Sequence, residues 1–88
     1  MVVEYTKRFL KDIDAIDNRS LALDVKEAIN DAKSVNSIKD LKSTKKMKGE
    51  KNAFRIKIGD YRLGFYLEAD TILMSRFLHR KEIYRYFP

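Results

Sequence analysis

The run FRIKIGDYRLGFY at residues 54–66 decides the fold, because it reads as a hairpin whose two faces carry opposite chemistry. Gly59-Asp60 separates two alternating segments and supplies a two-residue loop, since Gly accepts the positive φ that a type I′ or II′ turn requires. Such a loop makes Ile58 and Tyr61 the closing pair and fixes the register. Counting outward, Ile56 faces Leu63 and Phe54 faces Phe65, so one face is wholly apolar. Lys57 then opposes Arg62, and Arg55 opposes Gly64. Strand side chains alternate sides, so Arg55, Lys57, Arg62 and Tyr66 share the second face. Like charges directly across a sheet repel. An anion between them relieves that repulsion, and a phosphate fits the gap expected over Gly64. The same pattern is also that of the solvated face of a two-sided hairpin, so the rest of the chain has to decide.

The whole chain is one domain, residues 1–88, and a domain of this length buries roughly 60 to 65% of its unfolded surface. With 44% hydrophobic and 36% charged residues, three Gly and one Pro, its composition is that of a folded protein rather than a disordered one. It has no cysteine, which removes disulfides and thiolate metal sites and fits a cytoplasmic location. The opening MVVEYTKRF meets charged residues before an apolar run can form, so neither a signal peptide nor a membrane span is expected there. The formal charge of +6 is uneven. Residues 1–40 hold seven Lys/Arg against eight Asp/Glu, net −1, and residues 41–88 hold twelve against five, net +7. The hairpin lies in the basic half, the half suited to a polyanionic partner.

Val2 to Tyr5 reads as a short first strand. Thr6 is then an N-cap for a helix in which Phe9, Leu10, Ile13 and Ile16 recur at the helical period. A second helix starts near Asn18 to Ser20, with Leu21, Val25, Ala28, Ile29, Ala32 and Val35 in one stripe, and the short connection makes the two an antiparallel pair. Ser34 to Asn52 is polar and Lys-rich and reads as a solvated connection. After the hairpin and a Glu68-Ala69-Asp70 turn, Thr71 to Leu78 is apolar on both faces except at Ser75 and Arg76, which marks a central strand. His79 to Pro88 closes as a short helix or tail. This order predicts an α+β domain: a small, mostly antiparallel sheet with its apolar face under the helical pair.

The chain has no Gly-rich phosphate loop, no serine triad and, with one histidine, no set of residues at metal-ligand spacing, so no cofactor is expected. What remains is cationic: Arg55, Lys57, Arg62, His79, Arg80, with Tyr84. Such a set suits metal-independent cleavage of RNA by its own 2′-hydroxyl. That reaction needs a base at the hydroxyl, positive charge on the phosphorane, and a proton or charge for the leaving 5′-oxygen. Arg supplies the charge in a fixed fork. Lys57, beside Arg55 and Arg62, and His79 are the candidates for the base or acid. Lys45, Lys46, Lys48 and Lys51 raise the local potential and guide a polyanion inward. Each has an ordinary alternative: His79 as a cap on the last strand, Tyr84 and Tyr86 as packing anchors, the lysines as solvated surface.

The two-helix start, KMKG at 46–49, FRIKIGDYRLGFY at 54–66 and RFLHRKEIYRYF at 76–87 resemble the RelE/ParE superfamily of bacterial and archaeal toxins from toxin–antitoxin pairs. The resemblance spans essentially the whole chain and implies a microbial ribonuclease-like α+β fold, neutralised by a cognate antitoxin. For the RelE branch it implies mRNA cleavage in the ribosomal A site, with basic residues on the hairpin strands, an Arg after the last strand and a Tyr near the C-terminus. By position these are Arg55, Lys57, Arg62, Arg80 and Tyr84. The first is a lysine in the best-known RelE pattern. Arg55 keeps the charge but cannot act as a base, which shifts that duty to Lys57, Tyr84 or His79. The ParE branch shares the fold and implies the alternative, a non-enzymatic inhibitor of DNA gyrase. The toxin alone is expected to be monomeric, with ribosome and mRNA as its other partners.

Overall fold

In the computed structural model, which describes residues 1–88, the hairpin forms in the expected register. Its strands are β3 (Ala53–Ile58) and β4 (Tyr61–Glu68). Gly59 has φ +59° while Asp60 is not at positive φ, the type II′ pattern. Around the hairpin lie β1 (Val2–Tyr5), α1 (Lys7–Asp14), α2 (Arg19–Ser34), β2 (Thr44–Lys46), β5 (Thr71–His79) and α3 (Ile83–Tyr86). The five strands form one sheet in the order β1-β5-β4-β3-β2, with β1 parallel to β5 and the other pairs antiparallel. β5 has a strand on each side, with α1 over one face and α3 over the other, so its apolar run is buried or half-buried throughout. No helix is long and apolar enough to cross a membrane.

The caps act as expected and also tie the layers together. The Thr6 hydroxyl accepts from the Phe9 N–H at 3.1 Å and donates to the Ser75 carbonyl at 3.1 Å, fixing α1 to β5. Asn18 caps α2 through the Leu21 N–H at 3.0 Å. Each helix rests mainly on the sheet, α1 on β5 and α2 on β1 and β3. Phe9, Val25 and Ala32 enter the main core with Ile56, Leu63, Phe65, Ile72, Met74 and Phe77. Leu10, placed in the apolar stripe by its spacing, is 49% exposed, because an eight-residue helix lying on one strand buries only a narrow face.

Two features depart from the sequence reading. Ser34 to Asn52 is more than a connection: a 3-10 turn at Ile38–Asp40 delivers Leu41 to the core, Ser43 reverses the chain at φ +61°, and Thr44–Lys46 pairs with Ile56–Phe54 as an edge strand. The second face of the hairpin is also only partly solvated. Met47, Ala53, Ile83 and Phe87 form a small second core there, flanked by Tyr66 and Leu78, so α3 packs on the side away from α1 and α2.

The turn joining β4 to β5 carries a cost. Ala69 sits at φ +54°, where a Cβ is disfavoured by about 1–2 kcal/mol. Ala69→Gly is expected to stabilise the domain by roughly 0.5–1 kcal/mol after the extra unfolded-state entropy of Gly is offset. The check is a higher urea midpoint at unchanged m-value; a lower midpoint contradicts it.

Candidate functional site

The sheet register sets out the site before any side chain is considered. Across the face that carries α3, Lys45 opposes Arg55, Arg55 opposes Gly64, and Gly64 opposes Arg76. One row nearer the hairpin turn, Lys57 opposes Arg62 and Arg62 opposes Leu78. Residues opposite one another have Cβ atoms about 4.5–5.5 Å apart, so these cations are close neighbours.

Helix α3 lies across the first row. Ile83 and Phe87, four residues apart, face the sheet and are buried. Phe87 occupies the position over Gly64: a Cβ built there would lie 2.5 Å from Phe87 Cδ2. The gap expected to receive a phosphate is therefore filled by an aromatic ring, which packs there because residue 64 lacks a side chain. The open space on this face lies beside it. Tyr84, on the flank of α3 and 66% exposed, lines a groove of about 330 Å³ with Lys45, Lys46, Lys48 and Arg55. Met47, Phe87 and Pro88 complete its wall.

Apart from Arg76, the cations of this face are free of carboxylates. Arg55 donates from Nη1 to the Ser43 carbonyl at 3.2 Å, and its Nε is buried without a partner. Arg62 folds back on the turn, donating from Nη1 to the Gly59 and Tyr61 carbonyls at 2.9 Å each. Lys57 is exposed. The sole ion pair of the chain is Arg76 with Asp12, at 2.8 Å. The positive charge on the groove thus has no carboxylate partner within the chain.

The remaining candidates are spread more widely. Arg80 is exposed beside the hairpin turn, its N–H donating to the Asp60 carbonyl at 2.8 Å. Lys51 lies in the loop between β2 and β3 and does not line the Tyr84 groove. His79 is not on this face at all. Its ring meets Tyr61 edge-on at 5.4 Å on the helix side, in a cavity of about 460 Å³ shared with Ile16, Leu21 and Phe77, and its Nδ1 accepts from the Lys81 N–H at 3.1 Å. The physical reason is a bulge: the β4–β5 register shifts between Gly64 and Phe65, leaving Ser75 unopposed. That shift reverses the alternation of β5 and carries His79 to the side opposite Lys57 and Arg62. Met47 and Phe87, which shape the groove's surroundings, were not singled out by composition or charge, and Arg76 stood out only as a break in an apolar strand; the spacing of Ile83 and Phe87 is the signal that marks α3 as amphipathic.

Comparison with known proteins agrees with this architecture. The family described as "ParE toxin of type II toxin-antitoxin system, parDE" matches residues 3–84. A curated relative, Toxin RelE3 of Methanocaldococcus jannaschii, is 42% identical over 89 residues and covers the whole of both chains. Among solved structures, the RelB-RelE antitoxin-toxin complex from Methanococcus jannaschii aligns with TM-score 0.79 at 40% identity, over 97% of this chain and 99% of that one. The RelBE2 toxin-antitoxin complex from Mycobacterium tuberculosis aligns with TM-score 0.68 at 27% identity, over 90% and 96% respectively. A family match over nearly the full length, joined to a relative of equal extent, identifies the fold's lineage: the chain belongs to the RelE/ParE superfamily of toxins from type II toxin–antitoxin systems.

Proposed function

We propose that this toxin is an endoribonuclease that cuts mRNA on the ribosome in the cytoplasm, acts without a metal ion, and is silenced by a cognate antitoxin. The observation that carries this reading is the run of carboxylate-free cations on one sheet face, Lys45, Arg55, Lys57 and Arg62, beside the exposed ring of Tyr84. Arg55 and Arg62 hold the non-bridging oxygens of the scissile phosphate, where charge grows as the phosphorane forms. Lys45, Lys46 and Lys48 follow the backbone, and the Tyr84 ring offers a surface on which a base can stack.

The 2′-oxygen attacks phosphorus, its proton passes to a base, and the bond to the 5′-oxygen breaks as that oxygen receives a proton. Arginines keep their protons under these conditions. Lys57 and Tyr84 are therefore the groups on this face assigned to proton transfer, with Arg80, beside the hairpin turn, supplying charge near the leaving oxygen. His79, on the far side of the sheet, has no part in it. The antitoxin is assigned to the same basic face through an acidic segment, and the solved complexes of relatives support such a partner. The gyrase-binding alternative is not favoured, since the relatives above 25% identity carry RelE names.

The experiment is end-group analysis of cleaved message from a reconstituted translation system. Primer extension should give discrete new 5′ ends within codons, and the upstream fragments should end in 2′,3′-cyclic or 3′-phosphate. A 3′-hydroxyl product contradicts the mechanism, and DNA breaks with intact messages would point to gyrase.

A further inference from the structure

Helix α3 has four residues, far fewer than the roughly 12–15 at which an isolated helix holds its shape. Its placement has to come from contacts with the sheet. Ile83 and Phe87 fix how closely it approaches, and both are buried against Met47 and Ala53. Their contacts lie on one line along the helix and leave it free to rock about that line, and rocking moves Tyr84 relative to the groove. The residue that can stop the rocking is Tyr86, two positions on and hence on the opposite flank. Its ring lies over the Arg76 guanidinium, with Cζ 5.8 Å from the centroid.

Arg76 is itself held by Asp12. Its Nε donates to Asp12 Oδ2 at 2.8 Å and its Nη2 to Asp12 Oδ1 at 3.4 Å, while Asp12 Oδ2 also accepts the Phe77 N–H at 2.9 Å. The two side chains are 14% and 12% exposed. Arg76 sits in the same cross-sheet row as Arg55, yet its charge is compensated, so it is not a ligand for an external phosphate. Its planar fork can grip a carboxylate in-plane while its face meets an aromatic ring, which an ammonium cannot do.

We propose that Arg76 is a positioning residue: gripped by Asp12, it seats Tyr86 and so fixes α3 with Tyr84 over the basic groove. Its consequence for cleavage rests on the ribonuclease reading; its geometry does not. The test uses the full chain carrying Tyr86→Leu, Tyr86→Phe or Arg76→Lys. Tyr86 is half-exposed, and neither substitution there threatens the fold. Amide exchange at Arg85 and Phe87, whose N–H groups donate to the Glu82 and Ile83 carbonyls, should accelerate roughly three- to tenfold in Tyr86→Leu and Arg76→Lys, with Leu63 and Phe65 unaffected. Tyr86→Phe keeps the ring and should exchange like the unsubstituted chain. In single-turnover cleavage of ribosome-bound message, the saturating rate should fall by a similar factor at unchanged half-saturating toxin concentration, again with rescue by Tyr86→Phe. Unaltered exchange in Tyr86→Leu and Arg76→Lys overturns the clamp, and altered exchange with an intact saturating rate overturns its positioning role. An unsubstituted protein that never cleaves RNA would overturn the ribonuclease reading instead, leaving the exchange data to judge the clamp.

Discussion

Lys57→Ala and Arg62→Ala proteins are expected to keep their fold and lose cleavage by roughly 30- to 1,000-fold each, the effect of removing about 2 to 4 kcal/mol of transition-state stabilisation. Lys57 is exposed and stands opposite another cation, so its loss costs the fold nothing and relieves repulsion. Arg62 gives up two hydrogen bonds to turn carbonyls and should cost about 1 kcal/mol. On the other face of the same hairpin, Ile56 and Leu63 are buried partners, and replacing either with Ala should destabilise by about 2 to 5 kcal/mol. Melting curves paired with growth arrest on induction separate the two classes. Should Lys57→Ala and Arg62→Ala both stay folded and remain fully toxic, this face is solvated surface and gyrase becomes the target to pursue.

The register that makes this contrast possible was legible in the sequence because two local signals agree: a period of two on each strand and a Gly-Asp turn that fixes where counting starts. The strand at Thr44–Lys46 was not legible. Thr-Lys-Lys has no alternation of apolar residues, and lysines on an edge read the same whether or not the edge is paired. Its pairing is settled further along, where Met47 enters the second core and its N–H meets the Ala53 carbonyl at 2.8 Å. The site divides the same way. Arg55, Lys57 and Arg62 share a face by counting alone, whereas the side taken by His79 depends on a bulge at Ser75 that no spacing announces. Alternation carried through β5 without that bulge would put His79 beside Arg62. The ring over Gly64 lay equally out of reach, being a contact between residues twenty-three positions apart whose only trace is the missing side chain itself.

That contact supplies the second large effect. Gly64 is not at positive φ, so Ala is acceptable to the backbone there and the whole consequence is steric. The new methyl would meet Phe87 Cδ2 at 2.5 Å, Cε2 at 2.7 Å and Cγ at 2.9 Å. Contact at Cγ cannot be relieved by turning the ring about its own axis, so Phe87 has to leave, and with it the seat of α3 on Met47, Ala53 and Tyr66. Gly64→Ala is expected to destabilise the domain by about 1 to 3 kcal/mol, a fall of roughly 4 to 24 °C in Tm for a chain of this size. The main core, on the other face, should remain cooperative. Cleavage should fall at least tenfold because Tyr84 loses its place over the groove. Adding Phe87→Ala to Gly64→Ala should cost less than the sum of the two single changes, since the ring that clashes is the ring removed. Denaturant titration of the four proteins in that cycle reads the coupling directly. Strict additivity, or a Gly64→Ala protein as stable and as active as the unsubstituted chain, would mean that Phe87 does not occupy the notch and that α3 is held some other way.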